Sequence, residues 1–239
     1  MKVKDFTLLI KNSFLQLLNN PVIILPSLAL LLVLTLISNL LKPLTLLLTK
    51  NSEHIIWLAL NSLFYLAIIS FFFAYLLTLC FFIIKKNKIS HFFIYKKTLH
   101  VWPRNFINTL IISFCWMIAF ALSTTIGKLF LSVNVYLSII SFLFTMFLFM
   151  AGGIIFLAFT NVFTITHDFS IIQSTKASIS LVKKQYHPVF FLLLLVYLVN
   201  LIVSKIFPEL ITEIIKTIII VPCFALTLVH LTTMQASKP

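Results

Sequence analysis

Residues 55–84 read IIWLALNSLFYLAIISFFFAYLLTLCFFII, a run of 30 positions without one charged side chain. A helix needs about 20 apolar residues to cross a hydrocarbon core of about 30 Å. The run is apolar on all sides, whereas a barrel strand alternates apolar and polar residues over about 10 positions. It therefore predicts a transmembrane helix that tilts or projects beyond the bilayer.

Similar runs occur along the whole chain. The charge-free stretch 130–166 is too long for one span and too short for two, so we predict a loop at 131–135 and a helical extension after residue 160. The fold class is all-α: a single polytopic membrane domain over residues 1–239, with Pro222 kinking the last span. The six predicted spans are 21–41, 56–84, 105–126, 136–160, 188–207 and 214–233.

Composition supports a lipid environment. Apolar residues make up 61% of the chain and charged residues 10%, against about 25% charged in a soluble domain. The net charge of +13 would suggest nucleic acid in a soluble protein. Here the basic residues flank apolar runs, so we expect anionic lipid headgroups as partners and no nucleic acid.

The distribution of lysine and arginine predicts the orientation. One side of the predicted topology carries 13 of these residues and the other carries 5. Because cytoplasmic loops are enriched in positive charge, we expect a multi-pass protein of the cell (cytoplasmic) membrane with both termini in the cytoplasm.

A threefold pattern accompanies the spans. Stretches of mixed polarity precede spans 1, 3 and 5, and the period of about 83 residues suggests repeats at 1–84, 85–166 and 167–239. We interpret the stretches as amphipathic helices, with Ile172, Thr175, Ile179 and Val182 on the apolar face of the third. Each would lie on the membrane surface or pack under the bundle as an extension of the next span.

The middle stretch, 89–105, favours the membrane surface because aromatic and cationic side chains suit that interface. The residues predicted to contact anionic lipid there and just before it are Lys85, Lys86, Lys88, Lys96, Lys97, Trp102 and Arg104.

Two motifs carry a family resemblance. Asn19-Asn20-Pro21 opens the first span, and residues 165–184, ITHDFSIIQSTKASISLVKK, lead to Pro188 and the fifth. Together they resemble the six-helix membrane domain found beside some glycerophosphodiester phosphodiesterases, and related prokaryotic membrane proteins. Asp168 stands where that group usually has glutamate. The resemblance implies a non-enzymatic membrane module, because the catalytic residues of those enzymes belong to a separate soluble barrel.

Few residues suggest chemistry. His167 and Asp168 are adjacent, so on a helix they point about 100° apart, and Asp168 suits the N-cap or first turn of the next helix. The single cysteines Cys80, Cys115 and Cys223 are expected to be buried apolar residues, and no cofactor or metal site is predicted. A group between spans 5 and 6 is expected to form surface ion pairs: Lys205, Glu209, Glu213 and Lys216.

Polar residues inside the spans have two interpretations. Asn61, Tyr197 and Asn200 would line a polar path, or would form hydrogen bonds between helices. His230 is expected to have an interfacial role. The pair Gly152-Gly153 permits a hinge or a close helix contact, and we favour the contact.

Three functions are compatible with these features. We favour a non-enzymatic scaffold, accessory or membrane-organising module whose partners are membrane proteins or a second copy. The alternative is a transporter or channel component for a small solute or lipid. A membrane-embedded enzyme would need histidine and acidic residues at one depth, and the sequence offers no such cluster.

Overall fold

The computed structural model describes residues 3–48, 54–85 and 90–236, and these ranges contain helices and no strand. Short 3-10 turns at Pro21–Ile24 and Ile154–Leu157 and a π-helical segment at Lys216–Ile220 join some of the helices. The α-helices are α1 Val3–Asn19, α2 Leu25–Leu48, α3 His54–Ile84, α4 His91–Leu131, α5 Val135–Gly152, α6 Thr160–His167, α7 Ile171–Lys184, α8 Tyr186–Ile206, α9 Glu209–Ile215 and α10 Val221–Ala236.

Within the described residues, five helical segments are long and apolar enough to cross a membrane. Apolar side chains on their outer faces are exposed, as are those of α5, which is what a surrounding lipid solvent permits. The five segments are Pro21–Asn39, Leu60–Ile84, His91–Leu131, Tyr186–Ile206 and Ile211–Thr233. The predicted span 136–160 is not among them.

That fourth span is divided at its glycine pair. Helix α5 ends at Gly152, and Gly153 has φ −135° and ψ −66°, outside helical geometry. A 3-10 turn and the short helix α6 follow. Gly153 is exposed, and a Cβ there would meet only the carbonyl oxygen of Phe149 in its own turn, at 3.3 Å. Our preference for a close helix contact is therefore wrong at Gly153, where the helix is interrupted.

The close helix contact lies elsewhere, at Gly127. A Cβ on Gly127 would lie 3.3 Å from the Cβ of Phe142 and 3.4 Å from the carbonyl oxygen of Ser138. The Ser138 hydroxyl donates to the Gly127 carbonyl over 2.7 Å. The missing side chain thus lets α4 and α5 approach closely after the turn at residues 132–134.

Helix α4 is continuous across the predicted start of the third span. Its 41 residues correspond to about 60 Å at 1.5 Å per residue, well beyond the hydrocarbon thickness. Pro103 removes the N–H that would donate to the carbonyl of Leu99, and Leu99 lies on an exposed face of the helix. Because residues 91–104 share one helix with the span, the structure favours an extension of the span over a separate surface helix.

The predicted sixth span also departs from α-helical geometry. Pro222 has no N–H, and the turn before it is π-helical, with the Val221 N–H donating to the carbonyl of Lys216. The predicted irregularity near Pro222 therefore lies one turn earlier in the chain.

Three helices meet at the centre of the structure. Helices α3, α6 and α10 contact one another, and Leu77, Ile165 and Leu226 are fully buried there. Each is covered by another helix: α3 by α4, α6 by α7, and α10 by α1. The covering helices place the fully buried hydroxyl residues Ser13, Thr98 and Ser178 toward the core.

The packed face of α7 differs from the predicted one. Ser174, Ser178, Leu181 and Val182 are buried, whereas Ile172 is exposed. The small serine side chains let α7 approach the 3-10 turn and α6 closely. The hydrophobic spacing therefore predicted a face of α7 that neighbours the packed face.

Candidate functional site

The predicted His167-Asp168 pair lies at the junction of α6 and α7. Asp168 ends α6 in the left-handed conformation, with φ 57°, which aspartate tolerates better than most residues. The N-cap of α7 is Ser170, whose hydroxyl accepts from the Gln173 N–H while the Gln173 side chain accepts from the Ser170 N–H. The prediction that Asp168 caps α7 was therefore wrong.

The Asp168 carboxylate instead binds helix α4. It forms an ion pair with Arg104, and His100 Nε2 lies 3.8 Å from its other oxygen. Arg104 Nη1 also donates to the carbonyl oxygens of Asp168 at 3.0 Å and Phe169 at 3.3 Å. Arg104 thus fixes the α6–α7 turn against α4, and its guanidinium is engaged within the protein.

His167 points to different neighbours. Its ring lies 5.5 Å from that of Phe163 and 5.3 Å from that of Phe169, and its Nδ1 lies 2.7 Å from the Thr166 hydroxyl. Burial lowers the pKa of His167 below its ordinary value, and the nearby charges of Lys85 and Lys97 lower it further. His167 and Asp168 therefore act separately, and the described residues contain no cluster of three or more His, Cys, Asp or Glu placed to hold a metal.

This position of His167 predicts a pH dependence. Because the unfolded chain binds the imidazole proton more tightly than the folded protein, stability should fall as the pH drops below the ordinary histidine value of 6.5. We expect the unfolding temperature to decrease from pH 7 to pH 5, and to decrease less in the His167→Gln variant. An equal slope in both proteins would contradict this assignment.

The predicted lipid-contact residues separate into two groups. Lys85 and Lys96 are exposed, whereas Lys86 and Lys88 lie outside the described residues. The other three are less exposed and make internal contacts: Trp102 donates to Ser70, Arg104 binds Asp168, and the Lys97 ammonium lies 5.0 Å from the Phe81 ring centre. The exposed Lys85 also lies over this ring, at 4.5 Å.

The residues of the predicted polar path are dispersed. Tyr197 is exposed on α8, and the Asn200 amide donates to the Val196 carbonyl of its own helix over 2.8 Å. Asn61 lies near the start of α3. None of the three lines either of two grooves, of about 510 and 330 Å³, found in the described part of the chain.

The larger groove lies between α4, the end of α5 with the following 3-10 turn, and α7. Apolar side chains and Gly153 form its walls, and Lys183 is its charged residue. The smaller groove lies between α2, α3 and the start of the sixth span, and Glu213 is its charged residue. Both grooves suit an apolar chain better than a hydrated solute.

The predicted acidic and basic group between spans 5 and 6 is partly assembled. Lys216 Nζ lies 2.9 Å from Glu213 Oε1 at the expected i,i+3 spacing. Lys205 belongs to α8 and Glu209 begins α9 after Pro208, so helical spacing does not relate these two residues.

His230, on α10, lies 3.5 Å from the Ser13 hydroxyl of α1.

A buried amide network between α4 and α6 was not predicted from the sequence. The Asn108 amide donates to the Thr164 hydroxyl over 2.8 Å, and the Asn161 amide donates to the Thr109 hydroxyl over 3.2 Å. The Asn105 amide donates to the Ser70 carbonyl of α3 over 2.9 Å. The available signal was a pair of asparagines at i,i+3 spacing in an apolar run, facing a second polar group at 160–164.

Comparison with protein-family models, with curated proteins and with solved structures finds no match to this chain. The resemblance to the membrane domain of glycerophosphodiester phosphodiesterases therefore stays a prediction from the quoted motifs, and the chemistry of the site is taken from its own residues.

Proposed function

We propose that the protein is a non-enzymatic membrane module of six spans that acts as a scaffold or accessory subunit in the cell membrane. The observation that carries this proposal is the close packing of α3, α6 and α10, each covered by a further helix. Such a core suits a rigid platform better than a conduit. The resemblance to a non-catalytic membrane domain agrees with it.

The proposed threefold repeat accounts for the order of these contacts. Helices α3, α6 and α10 each end one proposed repeat, and α1, α4 and α7 each begin one. Helix α4 begins the second repeat and covers α3, the last helix of the first, and α7 likewise covers α6. Helix α1 begins the first repeat and covers α10, the last helix of the third. The described contacts thus follow a cyclic order, as expected if three related units pack around one axis.

One observation favours the transport alternative. The fourth span is interrupted at Gly153, and transporters often place substrate or ion sites at such interruptions. Transport would also require a hydrated path past the α3–α6–α10 core, whose central side chains are fully buried.

Thiol accessibility distinguishes the two functions. The native cysteines are replaced by alanine, and single cysteines are introduced as Asn61→Cys and Asn200→Cys. The scaffold predicts that a charged, membrane-impermeant thiol reagent leaves both unlabelled from either side, while the exposed control Lys96→Cys is labelled. Labelling of Asn200→Cys from an aqueous side would favour transport.

We also propose that the exposed lysines at the predicted cytoplasmic side bind anionic headgroups. Each basic residue near such a surface contributes about 1 kcal/mol, so the double variant Lys85→Glu, Lys96→Glu should reduce retained anionic phospholipid by roughly thirtyfold or more. Lipid mass spectrometry of purified protein measures this. The control Lys128→Glu, an exposed lysine at the opposite end of α4, should retain lipid like the wild type. Equal losses in both variants would contradict the proposed side.

A further inference from the structure

The larger groove combines an apolar wall with one charged side chain. Its volume is about 510 Å³, and Lys183 is the charged residue among those of α4, α5, the 3-10 turn and α7 that line it. Water finds few hydrogen-bond partners in such a groove, and an empty groove loses packing contacts. A hydrocarbon chain would restore these contacts, so the groove suits an apolar chain that carries an anionic group near Lys183.

The groove lies at the depth of a lipid chain close to its headgroup. Cys115, in the groove wall, precedes the end of α4 at Leu131 by 16 residues, which corresponds to about 24 Å. The hydrocarbon core is about 30 Å thick, so this level lies near the opposite boundary. Lys183 lies in the last turn of α7, just before α8 and the predicted fifth span. Both positions place the groove in the hydrocarbon near the predicted cytoplasmic boundary, with Lys183 at the level of the headgroups.

An aromatic side chain lies close to the same charge. The Phe156 ring lines the groove, and its centre lies 6.3 Å from the ring centre of Tyr186, the first residue of α8. Tyrosine is enriched where hydrocarbon meets headgroups, because its ring is apolar and its hydroxyl is polar. Tyr186 follows Lys183 by three residues, so an aromatic and a cationic side chain accompany the groove at this boundary.

We propose that the larger groove binds one acyl chain of an anionic phospholipid, with the lipid phosphate near the Lys183 ammonium. The chain contacts Gly153 and Leu157 beside the interruption, Ile118 on α4 and Ile179 on α7. It thereby connects three elements at the point where helical continuity after α5 is lost. The inference goes beyond the proposed scaffold and its exposed lysines, because it assigns one lipid molecule to a defined groove.

The charge favours a phospholipid over the apolar helix of another protein. Such a helix brings no negative charge to Lys183, whereas an anionic phospholipid carries its phosphate close to the start of its acyl chains. The lipid therefore matches both the apolar wall and the cation at its edge.

The native thiol of Cys115 measures occupancy, because it lines the groove and is partly exposed. Purified full chain in mild detergent is treated with an uncharged maleimide, and peptide mass spectrometry separates Cys115 from Cys80 and Cys223. Phosphatidylglycerol at about ten times its Kd leaves about one groove in eleven empty, so it should slow Cys115 modification roughly tenfold. Phosphatidylcholine with the same chains has no net charge and should bind about fivefold more weakly, which gives about threefold slowing.

Two pairs of variants test the charge and the groove separately. Lys183→Gln should reduce the protection of Cys115 by phosphatidylglycerol to about threefold. Lys184→Gln is the matched control, because Lys184 is exposed and does not line the groove, and it should keep the full protection. Ile118→Trp adds bulk to the groove wall and should abolish protection. Met117→Trp, at the exposed neighbouring position outside the groove, should retain it.

Three results would overturn the proposal. Equal protection by the two phospholipids would show that the groove selects no headgroup. Equal effects of Lys183→Gln and Lys184→Gln would indicate attraction to the surface as a whole. Protection that rises with protein concentration and not with lipid would show that a second copy covers the groove. Each variant is compared with and without lipid, so a change in its basal reaction rate does not alter the result.

Discussion

Replacing Ser178 with valine is expected to destabilise the protein by about 3–5 kcal/mol. The Ser178 hydroxyl donates to the Phe156 carbonyl over 2.6 Å and accepts from the Phe159 N–H over 3.2 Å. Losing both bonds leaves buried backbone groups unpaired, at about 1–3 kcal/mol each. The extra methyl groups enter a fully buried position, and overpacking adds about 1–3 kcal/mol.

The loss of stability is measured by heating the protein with a thiol-reactive dye, because the fully buried Cys80 thiol reacts only when the protein unfolds. Ser180→Val is the matched control, because Ser180 is an exposed serine on the same helix and should change stability by less than about 0.5 kcal/mol. If the two variants unfold at the same temperature, Ser178 does not hold the 3-10 turn between α5 and α6 in place.

A leucine at Gly127 should separate α4 from α5. The Cβ alone would already lie 3.3 Å from the Cβ of Phe142, and a longer side chain must displace the Ser138 hydroxyl that bonds the Gly127 carbonyl. Membrane helices rely on such small residues for close approach, so we expect a loss of about 1–3 kcal/mol. Gly127→Ala should show a smaller loss in the same direction.

The control for Gly127→Leu is Ala121→Leu, on an exposed part of the same helix. Folded yield in mild detergent, followed by size-exclusion chromatography, compares the variants directly. A normal yield and unfolding temperature for Gly127→Leu would show that the α4–α5 contact tolerates separation.

The sequence was most informative about the positions of the helices. The long apolar runs between charged residues predicted α2, α3 and α8. Charged side chains are costly in hydrocarbon, so the charge-free runs mark the segments that can lie within the membrane. The runs did not indicate where a helix breaks inside an apolar segment. Gly152-Gly153 is compatible with a contact or an interruption, and the packing of Ser178 against Phe156 and Phe159 decides for the interruption.

The candidate site was less predictable because it depends on contacts between distant segments. Asn108 and Thr164 are 56 residues apart, and neither has an unusual neighbour in sequence. The lysines of the basic stretch were recognisable, but which of them reach the surface depends on the pairing of α3 with α4. Lys96 is exposed while Lys97, one residue later, lies against Phe81 and Phe82.

The contact of α1 with α10 has a consequence for biosynthesis. Ser13 and His230 meet although 217 positions separate them, so the buried face of α1 is covered only after α10 has been synthesised. Until then α1 presents Leu9 and Leu17 to whatever surrounds it. Nascent chains halted before α10 should therefore be the ones that insertion factors and quality-control proteases hold longest.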